Sequence, residues 1–495
     1  MSNSTLTSEQ ATIVDCDFDN ILLINAYAGT GKTSTLIKFC EKRAKYKILY
    51  LSYNSSMRVE AEAKFKHLKN VCVKTMHSLA YESVDKGIKD RLGSLRAFDL
   101  KDFVSDMKES VRIYYAKALL SLVKQFCNTG LSLKEFLASF LKEPQNFGVN
   151  PKIFDTTYIG NKLISLWQSE IPKNTKLAYE HDFYLKEFQL SEPELKYDFI
   201  LVDEAQDING CVIDIVLNQK CKKVFIGDTY QSIYKFRGAC NSLEILTEID
   251  NTKVLYLTQS FRCPLSIAGI ANNYLKLLGA QKDFKGTSKD LSFDFDGKSK
   301  GNQRVIITRT NAKLFDIAVQ NLDKKLFLVG GIESYNFNDL LDIQSLLCKK
   351  KEHIKNDFIA KFADVKELIA YSDESNEIDL KQKLLICFKY MQCNIFDLIK
   401  KIKSCVVKKQ DNAELILSTG HKSKGLEWDN VEIIDDFISL KETLENAEGN
   451  IEIPKEELNL FYVALTRSKK ELILNKSYML DDTLLKECQK RITAV

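Results

Sequence analysis

No C-x-x-C pair and no close cysteine–histidine pair occurs among the 13 cysteines and five histidines. That argues against a zinc or iron–sulfur site and against a disulfide framework, and the thiols suit a reducing compartment. No run approaches the roughly 18 apolar residues of a membrane span, and the polar opening MSNSTLTSEQ lacks the basic, then apolar, order of an export signal. A soluble intracellular protein is therefore expected, cytoplasmic or, in a eukaryote, nuclear, with no membrane partner. Net charge is nearly absent too: 71 basic against 67 acidic side chains leave +4, too little for a global field that captures a polyanion, so a nucleic-acid site has to be local. Repeats and low-complexity tracts are missing. Between Gly331 and Gly420 there is neither glycine nor proline, which predicts continuous helices with few tight turns.

What is present is ample apolar content over 495 residues, enough for roughly three or four domains. Short apolar runs recur at both ends: Ile21 to Ile24, Lys47 to Leu51, Phe199 to Val202, Val224 to Ile226, Val254 to Leu257, Val305 to Ile307, Leu415 to Leu417 and Val431 to Ile434. They read as buried parallel strands of α/β units. Two stretches, roughly Tyr81 to Glu194 and Leu340 to Ala413, have helical spacing instead and read as insertions. The acidic segment from Asp435 to Glu457 reads as a solvated connection.

Chemistry enters at Ala26-Tyr27-Ala28-Gly29-Thr30-Gly31-Lys32-Thr33, a P-loop between a strand and a helix, with alanine at its first position. Backbone N–H groups from Ala28 through Gly31 and on to Ser34 would wrap phosphates where the helix dipole favours negative charge. Lys32 would reach the β and γ phosphates and the Thr33 hydroxyl would ligate Mg2+. Asp203 and Glu204 close the apolar run Phe199 to Val202, at the strand end where open α/β sheets hold ligands. Asp203 suits the metal, and Glu204 suits the attacking water of a hydrolysis. Gln231, in Gly227-Asp228-Thr229-Tyr230-Gln231-Ser232-Ile233-Tyr234-Lys235-Phe236-Arg237, would report on the γ-phosphate beside aromatics suited to a base stack. Phe461-Tyr462-Val463-Ala464-Leu465-Thr466-Arg467 ends a remote helix in an arginine that can sense the same phosphate.

Together these segments resemble the UvrD/Rep-type superfamily 1A DNA helicases over nearly the whole chain. The resemblance implies two RecA-like P-loop NTPase domains, α/β with parallel sheets, each with a mainly helical insertion and with ATP and Mg2+ between them. The expected bounds are 1–80 with 191–250 for the first motor domain, 81–190 for its insertion, 251–339 with 413–495 for the second motor domain, and 340–412 for a short second insertion. Leu6-Thr7-Ser8-Glu9-Gln10 resembles the family's Q motif, so Gln10 would read adenine. Thr258-Gln259-Ser260-Phe261-Arg262 resembles motif IV, with Phe261 stacking on adenine in place of the usual tyrosine and Arg262 meeting the γ-phosphate. Leu417 to Glu427 resembles motif V, which gives Glu427 the ribose and Thr419, His421 and Lys424 the DNA strand. By the same likeness Arg467 is the γ-phosphate contact of motif VI. Catalytic roles thus fall to Lys32, Asp203, Glu204, Gln231, Arg262 and Arg467.

Within that family the likeness extends to the helicase core of the F-box DNA helicases, carried by Phe39-Cys40-Glu41-Lys42, Thr75-Met76-His77-Ser78-Leu79-Ala80-Tyr81 and His181-Asp182-Phe183-Tyr184-Leu185-Lys186. With few residues before Gln10 an F-box is not expected, nor, with only 28 residues after Arg467, a nuclease domain. The second insertion lacks the glycines of the helix–hairpin–helix that grips duplex DNA in longer relatives.

Single-strand binding without sequence preference needs aromatic faces for bases and scattered donors for phosphates. Tyr53, Asn54, Thr75, His77, Tyr184, Tyr234, Phe236 and Arg237 are the candidates from the first half of the chain. The expected activity is ATP-dependent translocation on single-stranded DNA and tailed duplexes, 3′ to 5′, in repair, recombination or replication, by a monomer or weakly associating protein with recombinase filaments or repair proteins as partners. The alternatives are a protein-displacing translocase with little unwinding, a nucleotide-gated DNA-binding module without turnover, and use of RNA.

Overall fold

Six short apolar runs form one parallel sheet in the computed structural model, which describes residues 6–171, 176–234, 242–287, 304–375, 378–446 and 448–495. In chain order they are β1 (Ile21–Ala26), β2 (Ile48–Leu51), β3 (Val71–Lys74), β4 (Phe199–Val202), β5 (Lys222–Gly227) and β6 (Thr252–Leu257). Across the sheet they run β3-β2-β4-β5-β1-β6, every pairing parallel. Alternate side chains point to opposite faces: Leu23, Leu49, Ile200 and Phe225 join the core shared with the first insertion. Leu22, Ile24, Tyr50, Leu201 and Val224 join a second core with Leu36 and Phe39 of the helix Lys32–Lys42. Cover on both faces is why these strands read as unbroken apolar runs. The register aligns Asn25 with Gly227 and Val202 with Phe225, so the residues that follow β1, β4 and β5 leave the same edge of the sheet.

Contacts divide the chain into two units, Met1–Ala26 with Gly31–Leu257, and Tyr27–Thr30 with Thr258–Val495. The expected boundary at residue 251 moves: Thr252–Leu257 pairs with β1 along its length, from Ile21 opposite Thr252 to Ala26 opposite Leu257, and so completes the first sheet. Four of the helices between β3 and β4 are Glu109–Cys127, Leu133–Lys142, Thr156–Ser165 and His181–Leu190. Their core is aromatic, with Phe126, Phe136, Phe140 and Phe183 all fully buried. Lys186 is buried among them and donates to the carbonyls of Thr129 and Leu131 and to Gln189 Oε1, partners that a buried ammonium requires.

In the second unit β7 (Gln259–Pro264) pairs with β8 (Lys285–Thr287). The main sheet is built from β9 (Arg304–Thr308), β10 (Leu326–Leu328), β11 (Leu415–Thr419), β12 (Trp428–Ile433) and β14 (Ser468–Leu474), in the order β10-β11-β9-β12-β14, all parallel. β13 (Ile451–Ile453) pairs with β15 (Ile492–Ala494). Among the described residues no helix is long and apolar enough to cross a membrane.

Two expectations are corrected in part. The segment without glycine or proline is largely helical, as Asn338–Leu347, Val365–Ser375, Ile378–Lys389 and Ile395–Cys405, but non-helical stretches separate the first helix from the second and the third from the fourth. Local backbone and polar side chains mark the helix ends: Lys349 takes the left-handed conformation at φ 57°, Asp342 accepts from the backbone of Lys355 and Asn356, and Asn394 caps the last helix. The acidic segment is solvated at Asp435, Glu442, Glu445, Glu448 and Glu452, which are exposed, but not at Asp436 and Glu457. Asp436 is buried and accepts from Arg309 N, Thr310 N and Thr310 Oγ1, while Glu457 takes both arms of the Arg309 guanidinium.

Burial pushes the Asp436 carboxyl up to about 6, although these three bonds pull the other way. A carboxyl raised in the folded state stabilises most below its unfolded value and loses that contribution as pH rises through about 6. Wild type should therefore gain about 1 kcal/mol relative to Asp436→Asn between pH 7 and pH 5. Urea unfolding of both proteins at the two pH values measures the difference, and an unchanged gap would contradict it.

Candidate functional site

The helix Lys32–Lys42 begins at Gly31, whose φ of 79° lies in the left-handed region, and no side chain caps it. Its first-turn N–H groups thus form an anion-binding terminus, with Thr33 half-buried and Ser34 exposed in that turn. Lys32 Nζ lies 3.2 Å from Glu204 Oε1. Burial pulls the Lys32 ammonium down, but Glu204, Asp228 and Asp203 together outweigh it and its pKa is raised. Asp203 is pushed up to about 6, by burial first and by the Glu204 charge second, against Lys32 and a hydrogen bond from Tyr50. Glu204 itself stands at φ 50°, a left-handed conformation that turns the chain sharply out of β4. Among the described residues no group of three His, Cys, Asp or Glu side chains could hold a metal unaided. Hard oxygens from Thr33 and Asp203 nevertheless suit Mg2+, which is held by one or two carboxylates plus substrate phosphates and water.

From Glu204 a chain of hydrogen bonds runs to Gln231. Gln206, fully buried, donates from Nε2 to Glu204 Oε2 at 2.6 Å and accepts from Asp228 N at 3.1 Å. Asp228 Oδ2 accepts from Gln231 Nε2 at 2.7 Å, and Asp228 Oδ1 from Tyr230 N at 3.1 Å. The sequence motifs contained Tyr50, Gln206 and Asp228 without marking them out. Two-residue spacing after Glu204 and the position directly after β5 were the available signals for the last two; nothing local pointed to Tyr50, which reaches Asp203 from the neighbouring strand β2.

The same sheet edge opens into a cavity of about 820 Å³. Tyr53, Asn54, Thr75, His77 and Tyr184, five residues expected to meet a nucleic acid strand, all line it, and Asp203 lies in its wall. Tyr234 stacks parallel to Tyr53, ring centres 6.4 Å apart. Several are also held structurally. Asn54 caps the helix Ser55–Phe65 and Thr75 caps Met76–Glu82; buried Tyr184 bonds His181 at 2.9 Å, and His77 Nε2 lies 3.1 Å from Asp182. Phe236 and Arg237 lie outside the described residues.

Gln10 is buried in a capping box with Thr7 at the start of the helix Ser8–Asp15. Tyr27–Thr30 group with the second unit because their backbone bonds there: Ala28 N to the Tyr462 hydroxyl, Gly29 O to Phe261 N, and Ala28 O to Ser260 Oγ. In that unit Phe261 is exposed, and Arg262 Nε lies 2.7 Å from Glu427 Oε2. Lys469 also reaches Glu427, at 3.6 Å. Arg467 lies beyond the helix Lys455–Leu465 and is 1 % exposed, donating to the carbonyls of Val463 and Leu426 and to Thr466 Oγ1. Thr419 is buried at the end of β11, while His421 and Lys424 in the turn that follows are half-buried.

Residues 6–252, half of the chain, match the UvrD/REP helicase N-terminal domain. Over 96 % of its length the chain is 30 % identical to F-box DNA helicase 1 of Gallus gallus, covering 50 % of that protein. Over 95 % it is 31 % identical to F-box DNA helicase protein 1 of Schizosaccharomyces pombe, covering 57 %. ATP-dependent DNA helicase PcrA of Bacillus subtilis is 24 % identical over 66 % of the chain and 51 % of its own length. The chain thus spans little more than half of these relatives.

Gly227 is the position at which the geometry around Gln206 is most sharply tested. A Cβ there would lie 2.2 Å from Gln206 Oε1 and 3.1 Å from both Ala205 N and Leu243 Cδ1. Gly227→Ala should cost about 1–3 kcal/mol by overpacking. Urea unfolding reads this directly, and a stability equal to wild type would show that the amide can move aside freely.

Proposed function

This chain belongs to the UvrD/Rep helicase family, and from that premise we propose that it is an ATP-hydrolysing motor that moves along single-stranded DNA. The observation that carries the proposal is the shared wall of one cavity. Tyr53, Asn54, Thr75, His77 and Tyr184 line it as the proposed strand contacts, and so does Asp203, the proposed metal ligand. A strand seated there would lie beside the groups that handle phosphate, as a motor requires.

In this reading Lys32 and the helix terminus behind Gly31 bind the β and γ phosphates, and Thr33 and Asp203 hold Mg2+, which neutralises phosphate charge. Glu204, whose carboxylate is shared between Lys32 and Gln206, orients the attacking water and accepts its proton. Gln231, Arg262 and Arg467 are the proposed γ-phosphate contacts, and Gln10, Phe261 and Glu427 those for adenine and ribose. Arg467 would have to exchange its present carbonyl partners for the phosphate. Tyr234 and Tyr53 offer aromatic faces to bases, at about 1–3 kcal/mol per stack. The proposed course is 3′ to 5′ on single strands and tailed duplexes, in DNA repair, recombination or replication.

A second reading, displacement of bound proteins with little unwinding, is favoured by the small second insertion, whose helices are only 10–12 residues long. Release of streptavidin from a biotinylated strand without separation of a 3′-tailed duplex would support it.

The primary test is phosphate release with and without single-stranded DNA. Wild type should be stimulated, and Glu204→Gln should lose about 100-fold or more in kcat. Equal release by the two proteins would end the motor reading. Unwinding of 3′-tailed but not 5′-tailed duplexes would fix the polarity, and the reverse preference would overturn that part.

A further inference from the structure

Gln206 occupies a position that neither phosphate chemistry nor strand binding explains. It is fully buried, two residues past Glu204, and its amide faces two different segments. Asp228 N–H needs an acceptor, which fixes Oε1 on that side and leaves Nε2 as the donor toward Glu204 Oε2. Nε2 also lies 3.4 Å from Asp207 Oδ2, and the Gln206 carbonyl accepts from Ser232 Oγ at 3.3 Å. Gly227 supplies the room, since any Cβ there would press on Gln206 Oε1.

We infer that Gln206 is a positioning residue that couples strand binding to hydrolysis by tying Glu204 to the Asp228–Tyr234 segment. One end of that segment is bonded to the Gln206 amide. The other end stacks Tyr234 on Tyr53 in the cavity wall. Displacing Tyr234 by a bound base shifts a short run whose first residue is hydrogen-bonded to Gln206, and Gln206 transfers the shift to the Glu204 carboxylate. The amide does this without charge: it donates to a carboxylate and accepts from a backbone N–H, so it moves Glu204 without competing with Lys32 for it. An aliphatic side chain of the same length would fill the space and transmit nothing.

The inference rests on the ATP motor reading, and the experiment separates the two. Full-length wild type, Gln206→Met and Gln206→Glu are compared for kcat and KM of ATP hydrolysis with and without an oligothymidine strand, and for affinity toward that strand. Gln206→Met keeps the volume and loses both bonds. Gln206→Glu keeps the acceptor for Asp228 N–H but turns an oxygen toward Glu204. Both should lower the DNA-stimulated kcat about 10-fold or more, as small misplacements of a catalytic group do. KM and strand affinity should stay within about 2-fold of wild type. A merely structural role would lower the strand-free and the strand-stimulated kcat alike, so a loss confined to the stimulated rate in Gln206→Met distinguishes coupling from support. Should either variant fail to unfold cooperatively, Gly227→Ala, which presses on the same oxygen, takes its place. Stimulation within about 2-fold of wild type, or KM rising and strand affinity falling by as large a factor as kcat falls, would overturn the inference and leave the motor reading standing. A wild type without stimulation would overturn both.

Discussion

Lys32 and the carboxylates of Asp203, Glu204 and Asp228 are largely withdrawn from water at the ends of three adjacent strands, and a charge in that position stays ionised only when its neighbours compensate. One ammonium faces three acidic groups. Lys32 is held charged, while Asp203, the more deeply buried of the two consecutive acids, is the one whose carboxyl rises to about 6. A divalent cation would relieve this surplus of negative charge, while Lys32 and the helix terminus would favour phosphate at the same edge. The parallel register is what makes this possible: it brings the ends of β1, β4 and β5 level, so three segments far apart in the chain deliver their charges to one place.

That convergence explains what could be read in advance. The strand runs, the P-loop and the acidic pair are local patterns, each carried by a few consecutive residues whose spacing reports burial on both sheet faces or a turn into a helix. Cross-strand partners are not local. Tyr50 lies in β2 and meets Asp203 only because Leu51 pairs with Val202. Gln206 was visible as a letter in the acidic motif, but its meaning depends on the N–H of Asp228 arriving from β5.

The partly misread segments depart from expectation for a related reason. Absence of glycine and proline between Gly331 and Gly420 predicts continuous helices with few tight turns, yet Asp342 and Asn394 bond backbone groups and Lys349 takes a left-handed conformation where helices end. Acidic composition from Asp435 to Glu457 points to solvent, which holds for exposed Asp435, Glu442, Glu445, Glu448 and Glu452, but Asp436 has backbone donors and Glu457 has Arg309, and both are drawn inward. Composition reports the average environment of a residue type; a specific partner overrides it. The domain boundary moved by a few residues because β6 is an edge strand, whose burial is too partial to mark the sheet to which it belongs.

The two arginines of the second unit show how far a residue's role can stand from its resting contacts. Arg262 is paired with Glu427, and Arg467 is enclosed by carbonyls of its own helix and of Leu426. An arginine stored on neutral carbonyls gives up less when it leaves than one stored on a carboxylate, because charge-assisted bonds are about twice as strong as neutral ones. Glu427 has Lys469 at hand, 3.6 Å away, as a second cation. Loss of the Arg262 contact would therefore leave Glu427 still partnered by Lys469.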